Sequence, residues 1–184
     1  MSNINDFIRA EAPAVEFISD ASASNDANID FTLPAGFDEY EIRMLNIVAA
    51  TDDAPFHLRT STDGGSSFDS GASDYIWSVL SAAESTASVS SSTGDTQIVL
   101  SGGIGDAVSQ AFSGLIRIVR PAEATETMVY GTSGYANSSV TPKATFGGSM
   151  GQRQSAADVD AVRFLFSSGN IVSGLFALYG VNRT

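Results

Sequence analysis

From Glu39 to Met44 the chain alternates charged and apolar residues one for one. Glu39, Glu41 and Arg43 fall on one side, and Tyr40, Ile42 and Met44 on the other. Only extended backbone sorts side chains with a period of two, so this segment is a strand with one buried face. Phe56, Leu58 and Thr60 repeat the pattern against His57 and Arg59. Further short apolar, β-branched or aromatic runs stand at 14–18, 28–33, 75–80, 96–100, 115–119, 127–130, 144–150, 159–166 and 171–179. Gly, Ser, Asp, Asn and Pro punctuate them, which gives about ten or eleven strands. No heptad or sustained helical period competes with this reading. The expected fold is all-β, an antiparallel sandwich of jelly-roll type.

Three connections carry expectations of their own. The Ala-, Ser- and Thr-rich stretch Ser81–Gly94 reads as a loop, with a small strand around Val89 as the alternative, and Ser167-Ser168-Gly169-Asn170 as a tight hairpin between the last two strands. Segments near 106–112 and 152–158 have room for a helical turn. Residues 1–12 are weakly patterned and read as an N-terminal arm that orders against a neighbour, with 13–184 forming one sandwich domain.

Composition narrows the function. The 184 residues contain no cysteine, which excludes disulfides, thiolate metal sites and cysteine nucleophiles. Nine basic residues against 21 acidic ones give a net charge of −12. Nucleic acids and anionic membranes are poor partners for such a surface. No apolar run has the length of a membrane-spanning helix, and the first residues lack the basic start and apolar stretch of a secretory signal. The expectation is synthesis in the cytoplasm without membrane insertion, and no cofactor.

The catalytic motifs are weak. His57 is the only histidine; alternation sets it opposite Phe56 and Leu58, on the polar side of its strand, and it reads as a surface residue and not as a metal ligand or triad base. Gly102-Gly103-Ile104-Gly105 lacks the Lys-Ser/Thr of a phosphate loop and reads as a turn. Glu39 and Glu41, two residues apart on one face, are spaced about 6.6–6.8 Å along extended backbone, within a glycosidase's carboxylate separation. Alternating charge on an outward face is what any amphipathic strand shows, and both are read that way. The chain is therefore read as non-enzymatic. Asp63 and Asp69, within a wider group of Asp52, Asp53 and Asp74, are the calcium candidates, without the spacing of an EF-hand loop. Tyr75 and Trp77, on one face of their strand, are the ligand-binding candidates, ahead of Tyr130 and Tyr135.

Ser61-Thr62-Asp63-Gly64-Gly65-Ser66-Ser67-Phe68 resembles the Asp-box of sialidase-type propellers, a folding element and not an active site in that family. Asp63 would accept backbone N–H groups across the turn while Phe68 anchors it to the core. A single copy over eight residues implies a hairpin, not a propeller. The longer stretch Thr60–Tyr75, followed by Ile171–Val181, resembles small β-sandwich virion proteins of tailed bacteriophages, the head-fibre, decoration and tail-fibre subunits. The resemblance covers about a third of the chain. It implies a non-enzymatic structural subunit of the virion used in repeated copies, often as a homotrimer. The arm would dock to other phage structural proteins, and a host-surface glycan is a further possible contact. A carbohydrate-binding sandwich is the alternative. Phe176 and Leu178 share one face of the last strand, and Leu175 and Tyr179 the other. Both faces are apolar, which implies core on one side and a neighbouring subunit on the other.

Overall fold

A computed structural model describes residues 15–123, 125–138 and 143–182. The expected arm at 1–12 lies outside the described residues. Twelve strands form two antiparallel sheets. They are β1 (Val15–Asp26), β2 (Ile29–Thr32), β3 (Glu39–Ala49), β4 (Phe56–Ser61), β5 (Tyr75–Ala83), β6 (Thr86–Asp95), β7 (Ile98–Val99), β8 (Phe112–Val119), β9 (Met128–Ala136), β10 (Ala144–Arg153), β11 (Ala161–Phe166) and β12 (Ile171–Val181). The small sheet has the order β2-β11-β4-β7, and the large one β1-β12-β3-β8-β9-β10-β5-β6.

Taken alone, β1-β12-β3-β8 facing β2-β11-β4-β7 is a jelly roll, eight strands in two four-stranded sheets. Two hairpins are added to that frame. One, β5–β6, lies between β4 and β7 in sequence, and the other, β9–β10, between β8 and β11. Both extend the large sheet beyond β8. The large sheet therefore has twice as many strands as the small one.

The core fills the space between the sheets. Phe56 of β4 sits at its centre, with ring centroids 4.9 Å from Phe166, 5.2 Å from Phe112, 5.8 Å from Phe164 and 6.4 Å from Phe176. Tyr40, Ile42, Met44, Phe56, Leu58, Phe176 and Leu178 are all buried, as their alternation requires. A bulge in β3 resets that alternation. Asn46 takes φ +54, its N–H donates to Ser113 Oγ at 3.0 Å, and pairing with β8 slips between Met44 and Ile47. Leu45 thus turns outward while Ile47 returns to the core. Gly174 of β12 lies opposite the bulge at φ +142, where a Cβ would collide with Ile47 and the Asn46 carbonyl.

Several expectations are corrected. Ser81–Gly94 is not a loop; it holds the end of β5 and most of β6, joined through Glu84-Ser85. Ser167–Asn170 is a turn, with Gly169 at φ +73, but β11 and β12 belong to different sheets. It is an arch across the sandwich and not a hairpin. The only helical turn among the described residues is a 3-10 turn at Val108–Gln110, within the first of the two segments proposed for one.

Candidate functional site

The side of the large sheet that faces away from the small sheet is the broadest feature of the molecule. On β8, β9, β10 and β5, register aligns outward rows across the strands. One row runs Arg117, Tyr130, Met150, Ser78, and the next Leu115, Thr132, Gly148, Leu80. A third runs Ser113, Gly134, Phe146, Ala82. Glycine at 148 supplies no side chain, which leaves a shallow depression of about 430 Å³ walled by Leu80, Leu115, Arg117, Tyr130 and Met150. Across the bulge the apolar face continues through the cross-strand pair Leu45 and Leu175. Leu45 is 53% exposed, Phe146 53%, Met150 54% and Leu175 50%. Large apolar side chains thus stand open together on one sheet face.

An ion cluster divides this face. Arg117 donates to Glu39 Oε1 at 2.8 Å and to Glu41 Oε2 at 2.9 Å, and Arg43 Nε donates to Glu41 Oε1 at 2.7 Å. Arg43 in turn lies 4.4 Å from the centre of the Tyr179 ring, which meets Phe17 edge-on. Glu39 is only 6% and Glu41 3% exposed. The expectation that both project into solvent is wrong. They do point to the outer face, but long neighbouring side chains cover them. With both carboxylates bound to arginine, neither is placed as a free acid or base.

The second feature is a cleft on the opposite side. The β5–β6 hairpin reaches past β7, the edge of the small sheet, so that its inward row meets the outer side chains of β4 and β7. Trp77, Val79, Ser81, Ser88 and Ser90 face His57 and Val99 around a space of about 260 Å³. His57 is buried, which corrects its assignment to the surface. Alternation gave the right face; the hairpin read as a loop is what covers it. Burial lowers the imidazole pKa to about 4, with Arg59 adding to the effect and Asp95 opposing it. Its Nδ1 is buried without a hydrogen-bond partner.

The two ligand candidates part company. Tyr75 is wholly buried. Its hydroxyl accepts the Thr60 N–H at 2.8 Å and lies 3.0 Å from Thr60 Oγ1, and burial raises its pKa to about 12. It braces the sandwich. Trp77 is half-buried, packs against the core and lines the cleft, its Nε1 donating to Asp95 Oδ2 at 2.8 Å. Of the other aromatics, Tyr135 is buried and Tyr130 belongs to the outer face.

The calcium candidates are engaged separately. Asp63 Oδ1 accepts Ser61 Oγ at 2.8 Å and the Ser67 N–H at 2.9 Å, and Oδ2 accepts Ser67 Oγ at 2.6 Å. These bonds, led by those from Ser67, hold its pKa down to about 2. Asp69 Oδ2 instead accepts Arg153 Nε at 2.6 Å. Among the described residues no three acidic or histidine side chains converge as a metal site would require. The Asp-box turn forms, but the hairpin expected from it does not: 61–75 joins β4 of the small sheet to β5 of the large one, and Phe68 lies outside the core, with the Arg163 guanidinium 4.0 Å from its ring centre. No protein-family model matches this chain, and no curated protein sequence matches it.

Proposed function

We propose that this chain is a non-enzymatic structural subunit of a tailed-phage particle that works by assembling with copies of itself. The observation that carries this reading is the outer face of the large sheet, with Leu45, Phe146, Met150 and Leu175 half or more exposed. These side chains are already half covered, so burying the rest is worth about 1 kcal/mol each, half the value of full burial, and symmetric copies repeat that gain at every contact. The Arg117 cluster gives the surface a polar centre that fixes orientation more than it adds affinity. Two added hairpins widen the jelly roll on this side, which is what a flat contact between subunits needs. A homotrimer incorporated in the virion, held to other particle proteins, is the arrangement proposed.

The test is molar mass by light scattering for the wild-type chain and for Phe146→Lys with Met150→Lys. The wild type is expected as a trimer or larger closed ring, and the variant at lower mass with unchanged circular dichroism. A wild-type monomer at 100 µM overturns the reading. A second reading, a carbohydrate-binding module, is supported by one observation: Trp77, fixed by Asp95, walls the serine-lined cleft beside His57. Quenching of Trp77 fluorescence by neutral oligosaccharides, lost in Ser88→Leu, would favour it. No change across millimolar sugar would dismiss it.

A further inference from the structure

Four strands end the two sheets, and three of them are protected. β1 carries Glu16, Asp20 and Asp26 and is bulged between Phe17 and Ser19. β2 is four residues long, with Asp30 paired to Arg163, and β7 is two residues long. These are the devices that keep a sheet edge from recruiting another chain. β6 lacks them over most of its length. From Thr86 to Gly94 it contains no charged residue and no proline, and among the described residues no strand pairs with its outer edge. Its break in register falls only near the end, between the pairs of Tyr75 and Trp77, and leaves Thr86–Ser92 regularly paired to β5. In a chain of net charge −12, a long neutral edge is the place where a second copy can approach with least repulsion.

We propose that β6 pairs antiparallel with β6 of a second copy about a two-fold axis through Val89, joining the two large sheets into one. The register supports that centre. Ala83 and Thr86 close a two-residue turn, so Thr86, Ser88, Ser90 and Ser92 spend their backbone groups on β5. Ala87, Val89 and Ser91 direct theirs outward. About the axis, Val89 meets Val89 of the partner subunit, and Ala87 meets Ser91 of the partner subunit. Three outward residues on each side then exchange about six backbone hydrogen bonds. The side chains agree as well. Val89 is 69% exposed and stands beside Leu80 on the outer face, so two such pairs become one apolar stripe. On the other face Ser88 meets Ser90 of the partner subunit. This contact uses a different surface from the outer-face association and stands or falls separately.

The chain has no cysteine, so a single Val89→Cys creates a direct probe. Hydrogen-bonded antiparallel pairs hold Cα atoms about 5.5 Å apart, within disulfide reach. Mild oxidation should convert Val89→Cys to a covalent dimer, while Ser85→Cys in the turn stays uncrosslinked. Val89→Lys and Val89→Pro should halve the molar mass of whatever the wild type forms, with circular dichroism unchanged. Unchanged mass in both variants, or equal crosslinking at 85 and 89, overturns the β6 contact. If Phe146→Lys with Met150→Lys still lowers the mass in that case, the outer-face reading survives. A wild-type monomer overturns both.

Discussion

The burial of His57 sets a pH dependence that can be worked out in advance. The ring is 5% exposed, covered by the β5–β6 hairpin, and its pKa is lowered from 6.5 to about 4. Between those values the unfolded chain takes up a proton that the folded chain refuses. Stability contributed by the neutral ring is therefore fully present above pH 6.5 and is lost as pH falls toward 4. At about 1.4 kcal/mol per pKa unit, the whole shift corresponds to about 3 kcal/mol, of which about 2 kcal/mol is lost between pH 7 and pH 5. Urea unfolding of wild type and His57→Gln at both pH values isolates this one group, because other titrations cancel in the difference. Wild type should lose about 2 kcal/mol more than the variant on acidification. A difference that stays constant within about 0.5 kcal/mol would refute the argument and mean that the hairpin does not seal the ring.

Three further outcomes are expected. Phe56→Ala empties the centre of the aromatic cluster and should cost about 3–5 kcal/mol in urea unfolding. Gly174→Ala forces a Cβ into Ile47 at a positive φ and should cost about 2 kcal/mol, visible as a lowered urea midpoint. Asp63→Ala removes the bonds that organise 61–67; limited proteolysis should then cut within that turn, while the unfolding midpoint holds because the turn is outside the core.

Much of the sandwich was legible because alternation is a local signal. The sorting of Tyr40, Ile42 and Met44 inward, and of Phe176 and Leu178 away from Leu175, needs only the period of a strand. β6 was missed because burial is what writes that period into a sequence, and β6 has almost none: nearly every residue from Thr86 to Ser92 is exposed. Serine and threonine on both faces look the same as a loop. The burial of His57 is hidden in the sequence for the same reason, because the hairpin that covers it carries no strand signal. Glu39 and Glu41 were misjudged for a different reason. Their cover comes from Arg117 and Tyr179, on strands 76 or more residues away, and no local pattern records a neighbour that distant. The outer face was half visible, since the apolar character of Leu175 and Tyr179 implied a second contact, but its extension over β9, β10 and β5 depends on a strand order that sequence does not display.

The interleaved strand order also bears on how the chain is made. β12 is inserted between β1 and β3, and β11 between β2 and β4. Until the residues of β11 and β12 have left the ribosome, β1 and β2 have no ladder partner at all, and β3 and β4 each lack one. A chain emerging in order therefore carries its first strands unpaired for most of its synthesis and closes the sandwich late, through contacts of very long sequence separation. Such a protein should depend on chaperones while nascent, and truncation before Ile171 should yield an insoluble product rather than a smaller fold.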